Sequence, residues 1–241
     1  MAAFGLSAQR EPILVPEVSQ SRIEVRQGFT GADLLLYGAV IAQSRQSPDY
    51  DIVVVLKGPA EPIRLREKER FAGIWMNAGS SDFRSAPSFF AVASSRPVAE
   101  LVDERTAAIF ELGTEFIQLS PTGEIEPVEQ ARFARGLVEK RQRDGLYKED
   151  PDGVRISEGV LYQARINLPS NVTTGPYTAE TFAIADGRVV ASATAKIEVV
   201  KVGLEGRVVL EANRNSLLYG AFAIFLSLSM GMMAGRLFTR S

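Results

Sequence analysis

The sequence predicts a mainly β fold: immunoglobulin-like β-sandwich structure with a helical insertion, followed by one C-terminal transmembrane helix. Three observations carry that prediction. About ten short apolar or alternating runs are separated by turn residues; between Pro97 and Lys148 the apolar period becomes helical; and the 21 residues from Asn215 to Gly235 contain no charge. The implied organisation is a short N-terminal segment (1–9), a first β-rich segment (10–96), a helical insertion (97–148) and a second β-rich segment (149–202). A juxtamembrane linker (203–214), the membrane helix (215–238) and a tail (239–241) complete it.

Each element rests on a local pattern. Asp33 to Ile41 and Asp51 to Leu56 are nearly continuous apolar runs, as core strands require. Arg64 to Arg70 (RLREKER) is charged almost throughout and reads as an exposed edge strand, with Glu67 and Glu69 interrupting its basic charge. Trp75, in FAGIWMN, is expected to pack in the sandwich core. Val98, Leu101, Val102, Ile109 and Leu112 fall on one face of a helix that starts after Pro97 and stops at Gly113. A second helix over 127–144 buries Ala131, Ala134, Leu137 and Val138 and ends at Gly145. Its opposite face, with Arg132, Arg135, Lys140, Arg141 and Arg143, reads as solvated; contact with anionic lipid headgroups or an acidic partner is the sharper alternative. The run from Glu149 to Gly153 is a turn rather than a calcium loop, whose spacing it lacks. Tyr162, Ala164, Ile166 and Leu168 alternate with polar residues in a half-buried strand. Asp186-Gly187 joins two β-prone runs in a type I′ hairpin.

Composition excludes several chemistries. The chain has no cysteine and no histidine, so thiolate nucleophiles, Cys- or His-ligated metals and histidine-based triads cannot be built from it alone. Phosphate-cradling glycine loops and serine-nucleophile signatures are absent, and no cofactor is expected. A formal charge of −2 gives no field for nucleic acid. Carboxylates, lysine, tyrosine and hydroxyls remain as the groups an enzyme would have to use, and paired carboxylates are the arrangement glycoside hydrolysis would need.

The uncharged stretch would reach about 31 Å as a helix, against about 30 Å of hydrocarbon. Within it Ala223, Ser227, Gly231 and Gly235 recur every four residues, a small-residue face on which a second copy or a multi-pass membrane partner would pack. Met230, Met232 and Met233 read as lipid-facing filler. Flanking charge does not choose the side of the domain, because the positive-inside rule weighs little for long domains. Residues 1–9 read either as the remnant of a signal peptide or as an ordinary N-terminus of a tail-anchored cytoplasmic protein.

Several segments together resemble an uncharacterised family of alphaproteobacterial transmembrane proteins. They are EPILVPEVSQSRIEVRQGFTGADLLLYGAV, FAVASSRPVAEL, GLYKEDPDGV, INLPSNVTTGPYTAETF, VVKVGLE and SLLYGAF, spread over nearly the whole chain. The resemblance implies a signal peptide, a periplasmic β-rich domain, one C-terminal span in the bacterial inner membrane and a setting beside multi-pass anion exporters. It implies no activity and no functional residues. The expected role is therefore a membrane-anchored accessory or interaction protein whose partners are the bilayer and a homodimer mate or multi-pass transporter. A carboxylate-dependent periplasmic enzyme and a tethered solute-binding module are the alternatives.

Overall fold

A computed structural model describes residues 12–26, 28–41, 49–71, 73–202, 220 and 224–233. In chain order the strands are β1 (Ile13–Val18), β2 (Arg22–Val25), β3 (Gly31–Ile41), β4 (Asp51–Lys57), β5 (Ala60–Phe71), β6 (Ile74–Pro87) and β7 (Phe90–Ser94). Helices α1 (Val98–Leu101) and α2 (Glu104–Phe110) and a 3-10 turn (Thr114–Phe116) follow, then β8 (Ser120–Pro121) and α3 (Pro127–Arg143). The last strands are β9 (Tyr147–Asp150), β10 (Val154–Ser157), β11 (Leu161–Pro169), β12 (Gly175–Ala185) and β13 (Arg188–Lys201).

These strands form three sheets, ordered β1-β3-β11-β10, β2-β13-β12-β4-β7-β9 and β5-β6-β8. The first two pack face to face, with β11 over β7 and β10 over β4. β11 shows the alternation its sequence announces: Tyr162, Ala164, Ile166 and Leu168 are buried and their neighbours exposed. β4 is apolar on both faces because both are covered, and Ile52 to Leu56 are fully buried. Its second face lies under the helical segment, where Phe110 meets Phe182 at 5.4 Å between ring centroids and the 3-10 turn lies against β7 and β9. The β7–β9 pair is parallel. The Asp186-Gly187 turn has both residues at positive φ (51° and 73°), the backbone that a type I′ hairpin demands.

The helical segment departs from the single helix that the apolar pattern predicts over 98–112. Val102 is extended (φ −144°), and Asp103 starts a new helix by accepting a hydrogen bond from the Thr106 N–H. Ile109, placed on the buried face by the pattern, is 61% exposed. α3 covers the expected stretch and buries Phe133 and Leu137. Gly136 lies inside α3, where an added Cβ would meet nothing within 4 Å. Gly136→Ala should therefore stabilise the domain by about 0.5–1 kcal/mol, read as a raised urea midpoint with an unchanged slope.

The chain divides into two units, 1–23 with 29–200 and 24–28 with 201–241. In the second unit the Val202 N–H donates to the Val25 carbonyl. There too Ile224 to Met233 are helical and exposed, and the Ser229 hydroxyl donates to the Phe225 carbonyl at 2.8 Å. Here the predicted fold class needs correction. The chain is mainly β, but among the described residues no helix is long and apolar enough to cross a membrane. Ten consecutive helical residues reach about 15 Å, half a hydrocarbon core. The predicted C-terminal transmembrane helix is thus unsupported. Its other residues, apart from the helical Gly220, lie outside the described residues, as does the 1–9 segment.

Candidate functional site

The most distinctive feature of the first unit is a long ribbon, β5–β6, that extends the β4–β7 pair. Backbone pairing runs unbroken through the bend: the Gly58 N–H donates to Phe89 O (2.8 Å) and the Ser88 N–H to Pro59 O (2.9 Å). Along β5, Ile63 and Leu65 point to one face and pack on a cluster of Phe83, Ala86, Leu119, Phe133 and Leu137. Phe83 and Phe133 meet edge to face at 6.4 Å. Two ion pairs tie the same face of β5 to α3: Arg141 to Glu61 at 2.7 Å and Arg132 to Glu67 at 3.0 Å. The basic face of α3 is therefore no uniformly solvated surface. Arg141 keeps only 15% of its side chain exposed, and Lys140 is paired with Asp144 at 2.8 Å.

Beyond Glu67 the ribbon continues for four residues of β5, about 13 Å at strand rise, and turns at Gly73 (φ +85°). Its end carries Phe71, Ile74, Trp75 and Met76, exposed by 74, 68, 66 and 54%. This overturns the expectation that Trp75 packs in the core. An apolar heptapeptide reads as interior by composition, and no local signal tells a core strand from a ribbon tip.

A second feature is a cavity of about 500 Å³ on the helix-covered face of the six-stranded sheet. Val92, Val98, Val102, Ala107, Leu112 and Phe116 supply apolar walls, and Asp103, Glu104, Glu115, Glu149 and Asp150 supply carboxylates. Three of these acids already have structural duties. Glu149 accepts from the Thr114 N–H and hydroxyl at 2.5 and 2.6 Å, Asp103 caps α2, and Asp150 accepts from the Asp152 N–H in the turn. Hydrogen bonds from Thr106 hold the Asp103 carboxyl below the usual carboxylate range. Among the described residues no group of three acids is placed to hold a metal ion.

Nearby, Lys57 lies between Glu111 and Glu180 at 2.7 and 2.9 Å. Burial alone would pull its pKa down; the two carboxylates together outweigh that and hold it above the ordinary lysine value. At the start of the same strand, Asp51 accepts from both Arg96 and the Ser95 hydroxyl. The Arg96 guanidinium, more than any other neighbour, holds its carboxyl below 3.8. A depressed carboxylate contributes stability above its unfolded-state pKa and loses it as pH falls through the folded value. Asp51→Asn should therefore cost about 1 kcal/mol at pH 7, because the pair is only partly screened: Arg96 is exposed but the Asp51 side chain keeps only 22% of its surface exposed. The gap from wild type should close below pH 4 in urea titrations.

Of the small-residue face, Ser227 and Gly231 are described. Both are helical and exposed, one turn apart, and a Cβ at Gly231 would meet nothing within 4 Å. Ala223 and Gly235 lie outside the described residues.

Comparison with known proteins gives one family. Residues 13–240 match the profile of the family described as "Putative transmembrane protein (Alph_Pro_TM)". No curated protein matches the chain. Among solved structures, the sporulation control protein Spo0M of Bacillus subtilis aligns at 11% identity and a TM-score of 0.29. That alignment covers 86% of this chain and 56% of Spo0M.

Proposed function

The chain belongs to that family of alphaproteobacterial transmembrane proteins, and we propose that it serves there as an accessory or interaction protein of the inner membrane. Its β-rich domain stands in the periplasm and assists a multi-pass transporter. One observation carries the reading: four large apolar side chains stand exposed at the end of a ribbon whose base is locked by α3. Exposed apolar groups gathered at one place cost solubility and mark contact surfaces. The chemistry left to the chain supports the same reading, since histidine and cysteine are absent and three acids of the cavity beneath α1 and α2 are engaged by backbone N–H groups.

The compartment can be tested because the chain has no cysteine. Ser170, exposed in the turn after β11, is replaced with cysteine, and intact cells permeabilised at the outer membrane are treated with a membrane-impermeant maleimide. Labelling before lysis, on protein recovered with the membranes, is the expected result. Labelling only after lysis would place the domain in the cytoplasm and overturn the reading.

A second reading, a tethered solute-binding module, draws on the cavity of about 500 Å³, a volume within the range of small-molecule sites. Its acids would favour a cationic solute.

A further inference from the structure

The segment RLREKERF appears in sequence as mixed charge, but the strand separates it. Ile63, Leu65 and Glu67 of β5 point toward α3, where Glu67 meets Arg132. Strand alternation then places Arg64, Arg66, Lys68 and Arg70 on the opposite, exposed face. The acids that interrupt the basic charge in sequence do not interrupt it in space. Among the described residues of that face, Arg64 forms an ion pair within the ribbon, bidentate with Asp82 at 2.5 and 2.7 Å.

The register carries the stripe to the tip. Arg70 is directly opposite Trp75 and Lys68 is opposite Asn77, so Trp75 stands on the basic face. Phe71 and Ile74 are opposite one another on the other face, with Met76 beside them. The end of the ribbon is thus an apolar wedge, with one indole at its margin, Arg70 beside the indole and Lys68 and Arg66 behind it in a row along the arm. Tryptophan favours the boundary between headgroups and acyl chains. Lysine and arginine behind it match the phosphate charge of an anionic leaflet.

We infer that the β5–β6 tip is a membrane-contacting element: Phe71, Ile74 and Met76 enter the acyl boundary of an anionic bilayer while Arg66, Lys68 and Arg70 meet lipid phosphates. The inference rests on the reading that the chain works at a membrane, and it gives the accessory domain a defined footing there. Charge complementarity selects lipid as the occupant, because the cations form a line that trails away from the apolar end. An apolar pocket in a protein partner would call for the wedge but not for the trailing row.

Trp75 is the only tryptophan of the chain, so intrinsic fluorescence reports the tip alone. The full chain is reconstituted into vesicles of phosphatidylglycerol with phosphatidylethanolamine, and separately into phosphatidylcholine vesicles. Quenching by acyl-brominated lipid and by aqueous acrylamide is measured in each. In the anionic vesicles Trp75 should be quenched by brominated lipid and shielded from acrylamide at least several-fold more than in phosphatidylcholine. The triple variant R66Q/K68Q/R70Q should abolish that difference, and F71S/I74S should abolish lipid quenching. Both sets are exposed, so melting temperatures should match wild type, which separates loss of contact from loss of fold.

Full acrylamide access in anionic vesicles would overturn the inference. Slowed hydrogen exchange at the tip in native membranes but not in the anionic vesicles would also overturn it, assigning the tip to a protein partner. If Trp75 enters lipid but Ser170 labels only after lysis, the periplasmic reading fails and the lipid contact stands.

Discussion

Replacing Phe133 with alanine should destabilise the domain by about 3–5 kcal/mol and release the ribbon from α3. Phe133 is 6% exposed, meets Phe83 edge to face and sits in the cluster that holds Ile63 and Leu65 of β5. Truncating a buried phenylalanine loses the transfer free energy of its ring and leaves a cavity that neighbours fill only in part. Its aromatic partner adds about 0.5–1.5 kcal/mol of geometry-dependent contact. The two ion pairs, Arg141–Glu61 and Arg132–Glu67, cannot replace this: they are partly exposed, and pairs of that kind contribute about 1 kcal/mol or less. Equilibrium urea unfolding measures the loss, and limited proteolysis should open first within 60–87. A loss below about 1 kcal/mol would mean that the ribbon is held by its β4–β7 root and that α3 is incidental.

Gly38→Ala should cost about 3 kcal/mol or more, for a different physical reason. β3 runs between β1 and β11, pairing Gly38 with Pro16 on one side and Tyr162 on the other. A Cβ at Gly38 would lie 2.2 Å from the Val15 carbonyl oxygen and 2.6 Å from the Tyr162 hydroxyl oxygen. The first of these is backbone, and the second belongs to a buried ring, so no flexible side chain can swing aside. β1 is an edge strand, and the strain should peel it from β3. Hydrogen exchange should accelerate over Ile13–Val18 while β12 keeps its protection. Gly123→Ala, where the added carbon meets nothing within 4 Å, is the control and should stay within about 0.5 kcal/mol of wild type.

The elements most legible in the sequence are those whose environment repeats along the chain. β11 is half-buried and alternates; β4 is covered on both faces and is apolar throughout; Asp186-Gly187 supplies the two positive-φ positions of its turn. The break between α1 and α2 was also within reach, since Asp103 three residues before Thr106 is a capping pattern; the apolar positions on either side concealed it. What could not be read locally depends on partners far along the chain. Arg141 and Glu61 are 80 residues apart, and their pairing turns a face that looks solvated into a clamp. The exposure of Trp75 is hidden in the sequence for the same reason, because apolar content does not reveal whether a segment ends inside a sheet or beyond it. The charge of RLREKER needed the strand's two-residue period and the position of α3 before its one-sidedness emerged. The C-terminal stretch shows the converse. Its length and lack of charge are plain in the sequence, yet ten described helical residues do not make a membrane span.

The proposed working surface of the domain is the ribbon tip, not the cavity beneath α1 and α2. Hydrogen exchange of the full chain in its native membranes, compared with the same chain in detergent, tests this most directly. Slowed exchange in the membranes confined to 68–77, with 98–116 unchanged, is the predicted result. Equal exchange at the tip, with protection appearing over 98–116 instead, would contradict it and move the site to the cavity.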